Sequence, residues 1–255
     1  MARVDLNCDM GESFGRYELP VSEKVMTRIT SANIACGFHA GDPMVMARTV
    51  AQCKEYGVAV GAHPGFPDLL GFGRREMAIT PQEARNYLLY QVGALQAFCT
   101  SAGVKIQHVK PHGALYNMAT QNEQLAHGLI DGLLSLSPRP ILVALSGSRF
   151  AQLAEAAGLR VCHEVFADRA YDHDGFLVSR SVDGAVINDS EAIAQRALRM
   201  VERGEVETID GDVIRLQADS ICIHGDNPTA TAGVISLVEL FAEQGIEIVP
   251  LQEVK

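Results

Sequence analysis

One pattern constrains this chain more than any other: a helical segment, a glycine and a short apolar run recur from end to end. Gly57, Gly103, Gly158, Gly204 and Gly245 each follow a helical pattern and precede a strand-like run. Glycine suits that place because a left-handed residue ends a helix without a Cβ clash. Strands are expected over 3–7, 32–35, 58–61, 106–109, 141–145, 161–165, 221–223 and 246–249. Most of these runs are continuously apolar, as strands covered on both faces of a parallel sheet are. Helices are expected over 43–55, 81–102, 122–135, 148–157, 189–203 and 228–244. Pro43 fits a first turn, where its missing N–H costs nothing, and Thr80-Pro81-Gln82-Glu83 has the form of a capping box.

Residues 206–216 depart from the pattern. Asp210-Gly211 stands between two strand-like runs, which predicts an inserted β-hairpin. Repeated βα units with right-handed crossovers close into a barrel or wind into an open sheet. Seven or eight such units in 255 residues favour the barrel. The expected fold is α/β: a single parallel β/α barrel domain over residues 1–255, with a hairpin inserted near 206–216.

Composition excludes several functions. Twenty-one basic against 31 acidic residues leave a formal charge of -10, the wrong sign for neutralising phosphates, so no nucleic-acid partner is expected. A hydrophobic fraction of 47% is too high for a disordered chain. No window approaches the roughly 20 apolar residues that cross a bilayer, so no membrane association is expected. The opening run MARVDLNCDMGE interrupts its apolar stretch with Asp5, Asp9 and Glu12, unlike a secretory signal. Six scattered cysteines without a C-x-x-C pair then read as reduced thiols, and a cytoplasmic location is expected.

The polar residues collect at one address. Behind the first expected strand stand Asn7, Asp9 and Glu12; behind the second, His39 and Asp42; behind the third, His63, Asp68 and Arg74. Lys110, His112, Tyr116 and Asn117 follow the fourth, Asp168 and Arg169 the sixth, His224 and Asp226 the seventh. In a parallel α/β fold these positions share the C-terminal rim, where ligands bind. Singly, each has a plain structural reading: His39 as a turn histidine, Asp42 and Asp189 as N-caps, Arg74 as a solvated surface residue, Cys8 as packing. Together they make Asp9, His39, His63, Lys110 and His112 candidate catalytic residues. Asn7, Glu12, Asp42, Arg74, Asn117, Asp168, Arg169, His224 and Asp226 are candidate substrate contacts. Imidazoles and carboxylates permit a divalent metal, with Asp9, His39 and His63 as candidate ligands, although no H-E-x-x-H signature is present. Without a metal, Asp9 or a histidine would take a proton from water, and Lys110 with Arg169 would hold an anionic group. No G-x-x-x-x-G-K-[ST] loop for a nucleotide occurs.

Long runs of this sequence resemble the LamB/YcsF family. They are Asp5–Glu12, Ser31–Asp42, Gly61–Asp68, Phe72–Arg74, His108–Asn117, Glu164–Tyr171, Leu177–Arg180 and Ile221–Asp226, and they span nearly the whole chain. Ser179, where proline is common in the family, and Cys8, where alanine is frequent, depart from it. The resemblance implies a seven-stranded, glycoside hydrolase/deacetylase-like barrel. It also implies one component of an ATP-dependent 5-oxoprolinase, which opens 5-oxo-L-proline to L-glutamate together with 5-oxoprolinase subunits B and C. ATP with Mg2+ would then bind at a shared or partner site. Two rival functions are a metal-dependent deacetylase of an N-acetylated sugar and a non-catalytic lactam-binding component.

Overall fold

A computed structural model describes residues 2–223 and 228–254 of the chain. Seven parallel strands close into a ring: β1 (Arg3–Met10), β2 (Ser31–Ala35), β3 (Ala59–His63), β4 (Ile106–Val109), β5 (Ile141–Leu145), β6 (Val161–Phe166) and β9 (Ser220–Ile223). Closure comes from β1 pairing with β9 in the register Asp5↔Ser220 to Cys8↔Ile223. Between β6 and β9 lies the expected hairpin, β7 (Glu205–Glu207) antiparallel to β8 (Val213–Arg215). The last expected strand does not enter the ring. It is β10 (Glu247–Ile248), which pairs with β1 only at Arg3 and Val4, below the stretch that β9 occupies.

The helices between strands start and stop where local chemistry dictates. Helix α2 (Pro43–Tyr56) is capped by the Asp42 carboxylate, which accepts from the Met44 and Val45 amides, and ends at Gly57 with φ 70°. Helix α3 (Pro81–Ala102) opens on the complete Thr80/Glu83 capping box and ends at Gly103 with φ 71°. A positive φ at both ends is the reason for glycine there. Helices α5 (Glu123–Leu134), α6 (Arg149–Ala156), α7 (Ser190–Arg203) and α8 (Pro228–Glu243) complete the outer layer, with a short α1 at Glu23–Met26. One helix, α4 (Gly113–Gln121), falls where the sequence suggests a loop.

Strand β1 extends three residues beyond its apolar-run expectation because it alternates. Val4, Leu6, Cys8 and Met10 join the main apolar core. Asp5, Asn7 and Asp9 instead hydrogen-bond across the ring interior. That interior is a polar network. Asn7 donates from Nδ2 to Glu164 and Ser220, and its Oδ1 accepts from Asn33 Nδ2 at 2.7 Å. His108 Nε2 donates to Asn33 Oδ1 at 2.8 Å. Burial, reinforced by the Lys110 charge, pushes the His108 pKa down to about 3, so that ring works as a neutral donor. A Cβ on Gly61 would lie 2.0 Å from His108 Nε2; only glycine lets the imidazole lie against β3. Buried polar groups that are all partnered fix one arrangement of the strands that carry them.

Candidate functional site

At the C-terminal ends of the strands a cavity of about 730 Å³ opens, lined among others by Asp9, Glu12, His63, Arg74, Lys110 and His112. Each polar group of its floor is aimed by a specific bond. Lys110, at the end of β4, sends its ammonium into the ring, 2.7 Å from Glu164 Oε1 and 3.1 Å from Asp9 Oδ1. Burial alone would drive that amine toward neutrality. The charges of Asp9 and Glu164 beside it outweigh burial and hold its pKa well above the ordinary value. Tyr116 on α4 donates to the other Glu164 oxygen at 2.7 Å. Burial, with Glu164 adding to it, raises the phenol well above its usual range.

Three histidines stand beside this ion pair. His63 closes β3; its Nδ1 lies 2.6 Å from the Lys110 carbonyl and its Nε2 lies 3.3 Å from Asp9 Oδ2. His112 sits at the N-cap of α4, with Nε2 2.8 Å from the Phe72 carbonyl and Nδ1 3.0 Å from His63 Nε2. His39 stacks on His112, ring centroids 3.6 Å apart and planes 3° from parallel. Its Nε2 reaches Glu12 Oε1 at 3.3 Å, and its Nδ1 has no hydrogen-bond partner among the described residues. Burial, then neighbouring histidines, lowers the pKa of His39 and of His112 well below the ordinary value. Burial, then the Asp9 charge, raises that of Glu12. Ligand atoms of Glu12, His39, His63 and His112 all lie within 4.8 Å of one another, close enough to share a cation.

The loop over the histidines is strained. Phe72 has φ 54°, the one non-glycine residue in the left-handed region among those described. Such a backbone costs about 1–3 kcal/mol and is kept where the surroundings demand it. Here it aims the Phe72 carbonyl at His112. Next to it, Gly73 packs so closely that a Cβ would lie 2.7 Å from His39 and 2.8 Å from His112. The Phe72 ring in turn carries the Arg74 guanidinium 5.1 Å from its centroid.

The cavity thus gathers Asp9, Glu12, His63, Arg74, Lys110, His112, Asn117 and Arg169. Arg169 is buried, and its guanidinium donates to the carbonyls of Val178 and Ala185, so it fastens that loop. His39 is fully buried behind His112. Asn7 lies below the floor, inside the ring. The Asp42 carboxylate is occupied in capping α2 and in accepting from the Gly15 amide. Asp168 sits half-buried past β6, outside the cavity lining. His224 and Asp226 lie outside the described residues. Residue-by-residue reading gave no site role to Glu164, Tyr116 or Arg180. Glu164 is the interior counter-ion, and Tyr116 and Arg180 line the cavity. Their signal was present in the matched runs Glu164–Tyr171, His108–Asn117 and Leu177–Arg180.

In fold alone, the closed seven-stranded parallel β/α barrel is of the deacetylase-like kind. The peptidoglycan N-acetylglucosamine deacetylase catalytic domain of Eubacterium rectale shares this fold at 10% identity and TM-score 0.53, covering all of this chain and 90% of that one. Nearer in sequence, the lactam utilization protein of Thermus thermophilus superposes with TM-score 0.91 at 44% identity over 97% of this chain and 99% of that one. The chain belongs to the LamB/YcsF family, whose sequence profile matches residues 4–255. A relative from Pyrococcus abyssi, named as the A component of 5-oxoprolinase, is 58% identical over 251 residues, 98% of each chain.

Proposed function

We propose that this chain is the lactam-binding and lactam-opening component of an ATP-dependent 5-oxoprolinase, acting on 5-oxo-L-proline together with B and C subunits. The observation that carries this reading is the make-up of the cavity: a cationic rim of Arg74 and Arg180, and a floor where Lys110 lies against Asp9 and His63. Its company is a relative, similar over nearly the full length, that is named for this activity. The substrate is a small ring with one carboxylate and one amide. A guanidinium is suited to the carboxylate through paired, charge-assisted hydrogen bonds. Arg74 is placed for that contact, braced over Phe72. Asp9 and His63 stand where a water attacking the amide carbon would lose its proton. Lys110 pairs with Asp9 and orients it.

ATP supplies activation of the carbonyl oxygen, which makes the C–N bond of a stable lactam easier to break. With no nucleotide loop in the sequence, ATP and Mg2+ are assigned to a shared or partner site. The deacetylase alternative has the shared fold and the histidine–carboxylate cluster on its side, while the relatives similar over nearly the full length are named for lactam chemistry.

Co-expression with candidate B and C subunits, followed by an assay of glutamate release, tests the proposal. This chain should be inactive alone and required in the mixture. Arg74→Ala should raise KM for oxoproline at least about tenfold, from the roughly 1.5–3 kcal/mol of a charged hydrogen bond. Full glutamate release without this chain overturns the assignment, and an unchanged KM removes Arg74 from it.

A further inference from the structure

Two imidazoles in the cavity floor face each other with their lone pairs. His63 gives its Nδ1–H to the Lys110 carbonyl at 2.6 Å, and His112 gives its Nε2–H to the Phe72 carbonyl at 2.8 Å. A carbonyl only accepts, so in each neutral ring the other nitrogen carries no proton. Those nitrogens, His63 Nε2 and His112 Nδ1, are 3.0 Å apart. With both rings neutral, neither can donate to the other, and their closeness is repulsive until a proton or a metal ion lies between them. Oxygens flank the pair on both sides: Asp9 Oδ2 is 3.3 Å from His63 Nε2, and Glu12 Oε1 is 3.5 Å from His112 Nδ1.

We propose that His63, His112, Asp9 and Glu12 bind one divalent transition-metal ion of the zinc class on the cavity floor. Tetrahedral zinc with bonds of about 2.0–2.2 Å keeps its ligand atoms about 3.3–3.6 Å apart. The three successive separations in this set, 3.3, 3.0 and 3.5 Å, lie within tenths of an ångström of that spacing, and Asp9 at the end of the row must turn toward Glu12 to complete the shell. One proton joins two of these atoms; a divalent ion joins all four. Two imidazoles with two carboxylates suit zinc and its neighbours better than magnesium or calcium, which take oxygen ligands. The backbone carbonyls behind His63 and His112 are the outer partners that ligating histidines use to fix tautomer and ring orientation. The strained Phe72 backbone has a purpose on this reading, since it delivers one of those carbonyls.

His39 has a different part. It stacks parallel on His112, so an ion in the plane of the His112 ring lies a stacking distance out of the His39 plane. A ligating imidazole holds its metal in plane. His39 instead donates Nε2–H to Glu12 and orients it. All four proposed ligands line the cavity, so the ion would face whatever enters. The assignment rests on ligand geometry and not on the lactam reading, and it moves His63 Nε2 and Asp9 Oδ2 from proton transfer into ligation.

The test is zinc binding by the full chain after chelator treatment, followed by calorimetry and elemental analysis, with cobalt substitution to report a tetrahedral visible spectrum. One ion per chain is expected. His63→Ala and His112→Ala should each weaken zinc binding more than about a hundredfold, beyond the 10–100-fold typical of losing an outer partner. His39→Phe, which keeps the stack and drops the donor, should stay within that smaller range. His173→Ala, on an exposed loop, should change nothing. If an alanine variant fails to fold, Glu12→Gln keeps the shape, and its zinc-induced rise in Tm should be lost. Folded wild-type chain that takes up no stoichiometric zinc overturns the proposal, as does unchanged affinity in His112→Ala or Glu12→Gln. A chain that binds zinc while the B and C subunits release glutamate fully without it would defeat the oxoprolinase reading and leave the metal site standing.

Discussion

Lys110 offers the sharpest test of how the barrel interior is held. Its ammonium is 3% exposed, against Glu164 at 2.7 Å and Asp9 at 3.1 Å, and the Glu164 side chain is fully buried. Lys110→Met keeps the length and removes the charge. Glu164 then retains its bonds from Asn7 and Tyr116 but has no counter-ion. Removing one partner of a buried pair costs about 3–5 kcal/mol, because the remaining charge stays out of water. At about 2–4 °C per kcal/mol for a chain of this size, Tm should fall by roughly 6–20 °C. Urea denaturation at neutral pH, followed by circular dichroism, measures the loss directly. The double variant Lys110→Met with Glu164→Gln leaves that pair uncharged and should cost clearly less than the two single variants added together. A loss below about 1 kcal/mol, the range of an exposed pair, would falsify this account, and so would strict additivity in the cycle.

Two further outcomes follow from the polar interior. Gly61→Ala places a methyl 2.0 Å from His108 Nε2, so the ring must leave Asn33; overpacking of about 1–3 kcal/mol should appear as a lower Tm, and an unaltered Tm would show that β3 yields easily. Asp5, wholly buried, has its pKa pushed up from 3.8 to about 6 by burial, against the pull of the Ser220, Ser31 and Thr30 hydroxyls and with a small addition from Glu164. Between those two values the folded chain holds a proton that the unfolded chain has released, so stability falls as pH rises through the window. Two units correspond to about 3 kcal/mol. Asp5→Asn has no such proton, so its stability relative to wild type should improve by about that amount between about pH 4 and about pH 7; parallel stability curves would refute this.

Much of the barrel was legible in the residues because its determinants are local. Pro81, the Thr80/Glu83 capping box and Gly103 bound one helix by bonds that reach no more than four residues. Asp-Gly at 210–211 likewise announces a hairpin from its own turn chemistry. Runs such as 141–145 read as buried strands because both their faces are covered. Polar strands read less well. The far end of β1, residues 8–10, looks like a loop by hydropathy, since Asp9 belongs inside only when Asn33 and Lys110 are there to meet it. The helix at Gly113–Gln121 is hidden behind Lys110-Pro111-His112, whose composition suggests a turn.

The rim address of the reactive residues was likewise determined by the sequence, through the alternation of strand and helix. Their division of labour was settled only by the tertiary structure. It sorted Asp42 into a cap, Asn7 into the interior and His39 behind His112, and it brought His63 and His112 to 3.0 Å. The physical reason is ring closure. Asp5 meets Ser220 only when the last ring strand returns to the first, and where a side chain points then depends on partners from distant strands.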